Sequence, residues 1–202
     1  MTERKYAVSV PEGTSGIWTI EKFEVGESGV GNIRNQISAF TTGRTVPDGN
    51  YTRLCRGLTT VMSDTPDEYK DCVGAIYNSK GKVLIVGLGL GMVLQEITKR
   101  PEVNHVTVIE KSHGVIELVS EHYNKMFGDK INIIEADIFK WKPKKEDHWD
   151  CVWFDIWDDL CTDNLSEMAT LHRRFGRKAD WKGSWGKEFL QYKRDQERRN
   201  YW

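Results

Sequence analysis

The chain has 202 residues, of which 29% are charged and 39% hydrophobic, and its formal net charge at pH 7 is −1. These values are typical of a globular domain with a small appendage, and they exclude recruitment of nucleic acid through overall charge. The four cysteines form no C-x-x-C pair and the histidines show no ligand spacing, so no metal site or disulfide framework is predicted. Without a signal-like or membrane-spanning apolar segment, we expect a cytoplasmic protein that does not contact membranes.

The first part of the chain, residues 1–62, is rich in Gly, Thr, Ser and Val. Apolar and polar residues alternate in short runs at residues 17–20 and 23–25, and a Pro-Asp-Gly-Asn turn follows at residues 47–50. This pattern predicts two or three short antiparallel strands. We therefore expect a small β-hairpin module over residues 1–62.

The middle of the chain, residues 63–160, alternates between strand and helix patterns. Buried strands are predicted at residues 82–86, 105–109, 131–134 and 151–154, and helices at residues 93–99 and 113–127. Alternation of this kind predicts right-handed crossovers and a parallel, Rossmann-like α/β sheet that binds ligands at the carboxyl ends of its strands.

The last part, residues 161–202, is basic and rich in tryptophan, and it shows no further convincing strand. The sheet is therefore predicted to be incomplete, with strand order 3-2-1-4, and the exposed fourth strand must be covered by another segment or by a second subunit, as in a homo-oligomer. Two helices are expected, at residues 164–175 and 184–199. On the second, Trp185, Phe189 and Tyr192 form a stripe that predicts docking onto the protein; contact with nucleic acid is the less favoured alternative.

The stretch VLIVGLGLGM at residues 83–92 joins the first buried strand to a helix. Gly87, Gly89 and Gly91 stand at every second position. A glycine-rich loop in this place lets a ligand approach the backbone, and it directs free N–H groups toward that ligand. The alternative is a tight turn that binds nothing.

Two carboxylates follow the glycine-rich loop at the next two strand ends. Glu110 ends the second strand, where it can accept both ribose hydroxyls, and Asp137 follows the third strand, where it can accept the adenine amino group. The glycine spacing differs from that of a dinucleotide loop, and no G-K-[ST] indicates a triphosphate. The order of glycine loop, Glu and Asp therefore predicts a nucleoside site; the alternative for each carboxylate is a helix cap or a solvated turn.

This order resembles the class I S-adenosylmethionine-dependent methyltransferase fold. Within it the chain is similar to the aminopropyltransferases (spermidine synthase and relatives), whose V-L-V-I-G-G-G-D-G-G loop has no acidic residue where this chain has Ile85. The stretch HWDCVWFDIWDD is similar to the family's Y-D-x-I-x-x-D-x-x-D and contains Asp155 and Asp158. RGLTTVMSDTPDEYKD is similar to the family's D-G-x-x-Q-x-x-x-x-D-E-x-x-Y, with Tyr69 at the tyrosine.

The resemblance implies S-adenosylmethionine as donor and a role for each matching residue. The donor-binding residues that it implies, together with the strand-end pattern, are Gly87, Gly89, Gly91, Glu110, Asp137, Ile138 and Tyr69. Asp155 and Asp158 are the predicted catalytic residues, facing the acceptor, and Asp155 would hold the attacking nucleophile or accept its proton. The alternative is that one of them caps the following segment. Trp153 and Trp157 flank Asp155 and predict either an aromatic wall or core packing.

Three positions depart from the family's pattern. The aspartate of the family's loop falls on Leu90, its hairpin glutamine on Thr60, and the Gln or His after the tyrosine on Lys70. A diamine and the decarboxylated donor are cations that need carboxylates, so these departures argue against both. We therefore expect a methyltransferase whose acceptor the sequence does not identify. The alternatives are aminopropyl transfer from the decarboxylated donor, and a non-catalytic nucleoside-binding or assembly protein.

Overall fold

The computed structural model describes residues 4–26 and 46–200, which form two β-sheets. Residues 1–3 and 27–45 of the predicted hairpin module and residues 201–202 of the basic segment lie outside the described residues. The first sheet is antiparallel, in the order β1-β2-β3-β4. Its strands are β1 (Gly13–Ser15), β2 (Trp18–Val25), β3 (Gly49–Arg56) and β4 (Thr59–Ser63). The described part of the module therefore has four strands, whereas the alternating runs predict two or three.

The second sheet is parallel throughout, in the order β7-β6-β5-β8-β9. Its strands are β5 (Gly81–Val86), β6 (Val103–Glu110), β7 (Ile131–Glu135), β8 (Trp149–Phe154) and β9 (Ala179–Ser184). The first strand in sequence lies in the middle, and the direction of winding reverses between β5 and β8, so the sheet has the switch point of a Rossmann-like fold. The predicted fold class is confirmed.

Five α-helices accompany the two sheets in the part of the chain that the structure describes. They are α1 (Pro66–Asn78), α2 (Met92–Thr98), α3 (His113–Phe127), α4 (Asn164–Arg174) and α5 (Lys187–Asn200). Helix α3 follows the predicted 3-4 spacing, because Val115, Val119 and Tyr123 are buried on one face. Helix α1 was not predicted, although Pro66 in its first turn and the acidic residues Asp67 and Glu68 beside it are typical of a helix start. None of the described helices combines the length and apolar composition needed to cross a bilayer.

Strand β9 corrects the prediction that no strand follows residue 160. It pairs with β8, so β8 is not an edge strand, and α5 begins after it rather than at residue 184. The strand was missed because its buried positions carry small residues (Ala179, Gly183 and Ser184) instead of the branched residues that mark a strand. A Cβ at Gly183 would lie 2.8 Å from the ring of Trp153, so glycine makes room for this tryptophan.

The parallel sheet separates two cores. Val83 and Ile85 of β5 pack with α1, α2 and α3, whereas Leu84 and Val86 pack with α4. The antiparallel sheet shares the first core through residues such as Leu54. This packing fixes the antiparallel sheet near the carboxyl ends of the parallel strands.

The aromatic stripe predicted on the last helix does not dock as expected. Trp185 packs against the first core and donates its indole N–H to Asp71 at 3.2 Å. Phe189 and Tyr192 are exposed by 56% and 63%, and the fully buried residue of α5 is Leu190. The prediction that all three aromatic residues dock on the protein is therefore wrong for two of them within the described residues.

Candidate functional site

The glycine-rich loop between β5 and α2 approaches other parts of the protein closely. A Cβ at Gly87 would lie 1.9 Å from the carbonyl oxygen of Asp155, and one at Gly89 would lie 2.2 Å from the Sδ atom of Met62. A Cβ at Gly91 would lie 2.1 Å from the Cε2 atom of Tyr123. Internal packing alone therefore requires all three glycines, and the glycine pattern by itself does not indicate a ligand.

The stronger sign of a ligand site is a cavity of about 230 Å³ at the carboxyl ends of β5, β6, β7 and β8. Ligands of Rossmann-like folds bind at this edge of the sheet. Seven of the nine predicted site residues line the cavity: Gly87, Gly89, Glu110, Asp137, Ile138, Asp155 and Asp158. Among the described residues, no group of three or more His, Cys, Asp and Glu side chains is arranged to hold a metal ion.

The other two predicted residues, Gly91 and Tyr69, do not line the cavity within the described residues. Gly91 precedes α2 and makes room for Tyr123. Tyr69 stacks on Tyr6 with ring centroids 4.2 Å apart, so it holds the N-terminal segment against α1. The residues of α1 that do line the cavity are Glu68 and Cys72, which the sequence pattern did not single out.

The predicted nucleoside end of the cavity is organised by Glu110. Its Oε2 atom accepts the N–H of Leu88 at 2.8 Å, and its Oε1 atom accepts the N–H of Ser112 at 2.7 Å. Glu110 therefore joins the glycine-rich loop to the start of α3, and each oxygen retains a lone pair for a further donor such as a ribose hydroxyl. Asp137 accepts the N–H of Phe139 at 2.9 Å, which fixes the carboxylate beside Ile138.

Two other lining carboxyl groups, Glu68 and Asp155, have strongly raised pKa values. We call them the inner pair. Burial raises the pKa of both groups to about 7, and the nearby Asp155 carboxylate adds to the increase for Glu68. Both side chains line the cavity, so water reaches them from that side although protein surrounds them elsewhere. A carboxyl group with a pKa near neutrality can take up and release a proton under physiological conditions.

A second pair of lining residues, Arg56 and Asp158, lies where the cavity meets solvent, and we call it the rim pair. The Arg56 guanidinium forms an ion pair with the Asp158 carboxylate, and each side chain is 40% exposed. The guanidinium also lies 5.7 Å from the centroid of the Trp18 ring. Arg56 was not predicted from the sequence as a site residue. It stands where the family's D-G motif has an aspartate, and this change from a negative to a positive side chain could have indicated it.

The three departures from the family's pattern, at Thr60, Lys70 and Leu90, do not line the cavity. Lys70 pairs with Asp67 at 2.8 Å and is 72% exposed, so its charge does not act directly on a bound ligand. Leu90 is fully buried, and its carbonyl accepts the hydroxyl of Tyr123 at 2.9 Å. The described cations that line the cavity are Arg56 and Lys111.

The two tryptophans that flank Asp155 in sequence have different environments. Trp157 lines the cavity and donates its indole N–H to Glu167 at 2.8 Å. Trp153 lies in the core, stacked on Trp181 with ring centroids 6.4 Å apart. Of the two alternatives for this pair, an aromatic wall describes Trp157 and core packing describes Trp153. Glu167 lies in the first turn of α4 and holds Trp157 in this position.

The chain is similar to polyamine aminopropyltransferases. It is 30% identical to that of Leptospira interrogans over 84 residues, covering 38% of this chain and 17% of the relative. For Korarchaeum cryptofilum the identity is 35% over 82 residues, covering 38% and 25%. The chain therefore matches a quarter or less of the length of these relatives.

Among solved structures, the N-methyltransferase NodS from Bradyrhizobium japonicum has a TM-score of 0.43 at 12% identity, covering 56% of this chain and 61% of that one. The spermine/spermidine synthase domain family matches residues 70–174, from α1 to the end of α4. This match extends over more than half of the sequence. The chain therefore belongs to the spermine/spermidine synthase domain family.

Proposed function

We propose that the cavity binds S-adenosylmethionine and that the protein transfers the methyl group to an acceptor held beside Asp155. The observation that carries this proposal is the convergence of the glycine-rich loop, Glu110, Asp137 and Asp155 on one cavity at the switch point of the sheet. Family membership is consistent with a sulfonium nucleoside as donor.

Each end of the cavity has residues suited to a different task. Glu110 would accept the ribose hydroxyls and Asp137 the adenine amino group, while Ile138 would pack against the base. S-adenosylmethionine, when bound, supplies a methyl carbon that is already activated by a positively charged sulfur. The protein therefore has to orient the acceptor, exclude water and receive a proton, and positioning contributes most of the rate.

Aminopropyl transfer is the second candidate, and the observation that favours it is the similarity to aminopropyltransferases. That reaction brings an ammonium group on the donor and further ammonium groups on a polyamine into the same cavity. The inner pair has a pKa near 7 for each group, and Asp158 is already paired with Arg56. Because this leaves few carboxylates for several cations, the cavity favours methyl transfer.

The non-catalytic alternative has lost part of its basis. A sheet that ended after four parallel strands would support it, but β9 provides a fifth strand. Leu90 remains as a departure, but its side chain is buried away from the cavity. Sustained release of S-adenosylhomocysteine from S-adenosylmethionine in the presence of cell extract would exclude this alternative.

Calorimetry with both donors tests the nucleoside assignment. We expect S-adenosylmethionine to bind more tightly than its decarboxylated form, and Glu110→Gln to raise the Kd for S-adenosylmethionine about tenfold or more because a charged acceptor of the ribose hydroxyls is lost. The matched control is Glu135→Gln. Glu135 ends the neighbouring strand β7, pairs with His113 and does not line the cavity, so its replacement should leave the Kd unchanged.

Each result that contradicts this prediction has a different consequence for the proposed function. An unchanged Kd for Glu110→Gln would refute the ribose assignment, while binding of the decarboxylated donor alone would replace methyl transfer by aminopropyl transfer. If neither nucleoside binds, the cavity is not a donor site.

A further inference from the structure

The charged side chains of the cavity are unevenly distributed. The inner pair, Glu68 and Asp155, lies between α1 and the end of β8, whereas the rim pair, Arg56 and Asp158, joins the antiparallel sheet to the loop after β8. The inner end therefore has two carboxyl groups without a cationic partner among the described residues, whereas the two charges of the rim pair neutralise each other. A ligand that extends between the two ends meets unpaired carboxyl groups at one end and an ion pair at the other.

The inner end lacks a cationic partner among the described residues. Glu68 is fixed by the N–H and hydroxyl of Ser63, both of which donate to its Oε1 atom at 3.1 Å. Neither Glu68 nor Asp155 forms an ion pair with any residue in the described ranges. Cys72, one turn after Glu68 on α1, has a pKa far above its usual range because it is buried, so the thiol is neutral. The inner pair is thus suited to a single positive charge supplied by a ligand.

Much of the remaining cavity lining forms an apolar wall. Its side chains include Trp18, Leu54, Val61, Met62, Trp157 and Trp185. Phe139, at the edge of the cavity, is 43% exposed. An apolar or aromatic ligand body gains burial against these residues, but a second ammonium group would lose its hydration there without gaining a carboxylate.

We propose that the acceptor is a primary or secondary amine on an apolar body with no second positive charge. The inner pair binds the amine and the apolar wall holds the body. The rim pair offers a polyamine no free carboxylate, because Arg56 already neutralises Asp158. This assignment rests on the proposed function, because it names the acceptor for the same cavity. It also differs from the polyamine that the names of the relatives suggest, and the difference comes from Arg56 and the apolar wall.

Transfer at this position balances without a further reactant. An inner carboxylate takes a proton from the bound ammonium group, and the nitrogen lone pair then attacks the methyl carbon. The N–C bond forms as the C–S bond breaks, and the electron pair of the C–S bond goes to the sulfur, which becomes a neutral thioether. The product is an N-methylated ammonium ion, and the inner carboxyl group returns its proton to water.

The test compares two amines on the full chain by calorimetry, with and without S-adenosylhomocysteine. The probes are 2-phenylethylamine, a monoamine with an aromatic body, and butane-1,4-diamine. We expect the Kd of the monoamine to be about tenfold lower than that of the diamine. Glu68→Gln should raise the Kd of the monoamine by about the same factor. Arg56→Gln should bring the Kd values of the two amines closer together. The matched control is Arg53→Gln, because Arg53 lies on the same strand and pairs with Glu21 outside the cavity.

The outcomes that contradict the acceptor assignment differ from the outcome that contradicts the proposed function. The acceptor assignment is overturned if the diamine binds as tightly as the monoamine, if the monoamine does not bind, or if Arg56→Gln and Arg53→Gln have equal effects. Nucleoside binding is recorded in the same experiment, so failure of S-adenosylhomocysteine to bind contradicts the proposed function instead. Transfer of the methyl group to 2-phenylethylamine, detected as a mass increase of one CH₂ on the amine, would support both proposals.

Discussion

Replacing Gly91 by alanine is expected to lower the free energy of unfolding by about 3 kcal/mol, because backbone strain and a steric clash act together. The φ angle of Gly91 is +75°, a conformation that alanine rarely adopts. The new Cβ would also lie 2.1 Å from the ring of Tyr123. This ring has little freedom to move, since it is fully buried, stacks on Phe127 and donates its hydroxyl to the carbonyl of Leu90.

Urea unfolding of two further variants separates the strain from the clash. Gly128 has a φ angle of +53° and no atom within 4 Å of its would-be Cβ, so Gly128→Ala should cost only about 1 kcal/mol. Tyr123→Leu removes the ring edge, and in a double-mutant cycle it should reduce the additional cost of Gly91→Ala. Equal costs for Gly91→Ala and Gly128→Ala would contradict the clash with Tyr123.

The glycine-rich loop shows that one sequence pattern can have two physical causes. The pattern was interpreted as room for a ligand, yet Asp155, Met62 and Tyr123 already occupy the space beside the three glycines. A single sequence does not distinguish the two causes, because a side chain from a distant segment leaves the same pattern as a ligand. Glu110 and Asp137 indicated the position of the cavity better than the glycines, because a parallel sheet brings the ends of consecutive strands to one edge.

The fold was predictable where burial produces a regular apolar pattern. Strands β5 to β8 and helix α3 have a continuous or periodic apolar pattern, whereas β9 buries small residues and α1 begins with the acidic residues Asp67 and Glu68. Pro66 and the acidic first turn of α1 were available signals that an apolar pattern does not include.

The residues contributed by the N-terminal half of the site were the hardest to predict. Tyr69 was expected in the cavity, but its neighbour Glu68 lies there, because successive residues of a helix point about 100° apart. Arg56 enters through the packing of the antiparallel sheet on the parallel one, and no local pattern encodes this packing. Long-range packing therefore decides which charges a ligand meets, even where the sequence identifies the strand ends correctly.

Replacing Asp155 by asparagine is expected to stabilise the protein above pH 7 and to reduce methyl transfer at least about 100-fold. The effect on stability follows from the raised pKa of Asp155, which is about 7 in the folded protein. Below about pH 4 the group is protonated in both states and the substitution has little effect. Between pH 4 and pH 7 the unfolded chain releases the proton while the folded protein retains it, so the parent protein loses stability as the pH rises.

Asparagine removes this loss because it does not ionise. The variant should therefore gain up to about 4 kcal/mol relative to the parent above pH 7 and almost nothing at pH 4, as measured by urea unfolding at both pH values. The control is Asp159→Asn, an exposed residue of the same loop that does not line the cavity, for which we expect a change below about 0.5 kcal/mol. A destabilised Asp155→Asn variant at pH 8 would contradict the burial of an uncompensated carboxylate.

The dependence of activity on pH should run in the opposite direction to that of stability. An amine bound at the inner pair loses its proton only when a carboxylate is available, so turnover by the parent protein should rise through about pH 7. Asp155→Asn should abolish most of this rise, and Glu68, freed from the neighbouring charge, should ionise at lower pH.

Two results would contradict this role of the inner pair. A turnover of the parent protein that is independent of pH between 6 and 8 would exclude the inner pair as the proton acceptor. If Asp155→Asn stabilised the protein without reducing turnover, the role of Asp155 would be structural only. The same ionised group thus destabilises the folded protein and enables the transfer, which is the compromise expected of a carboxylate that binds a cationic substrate.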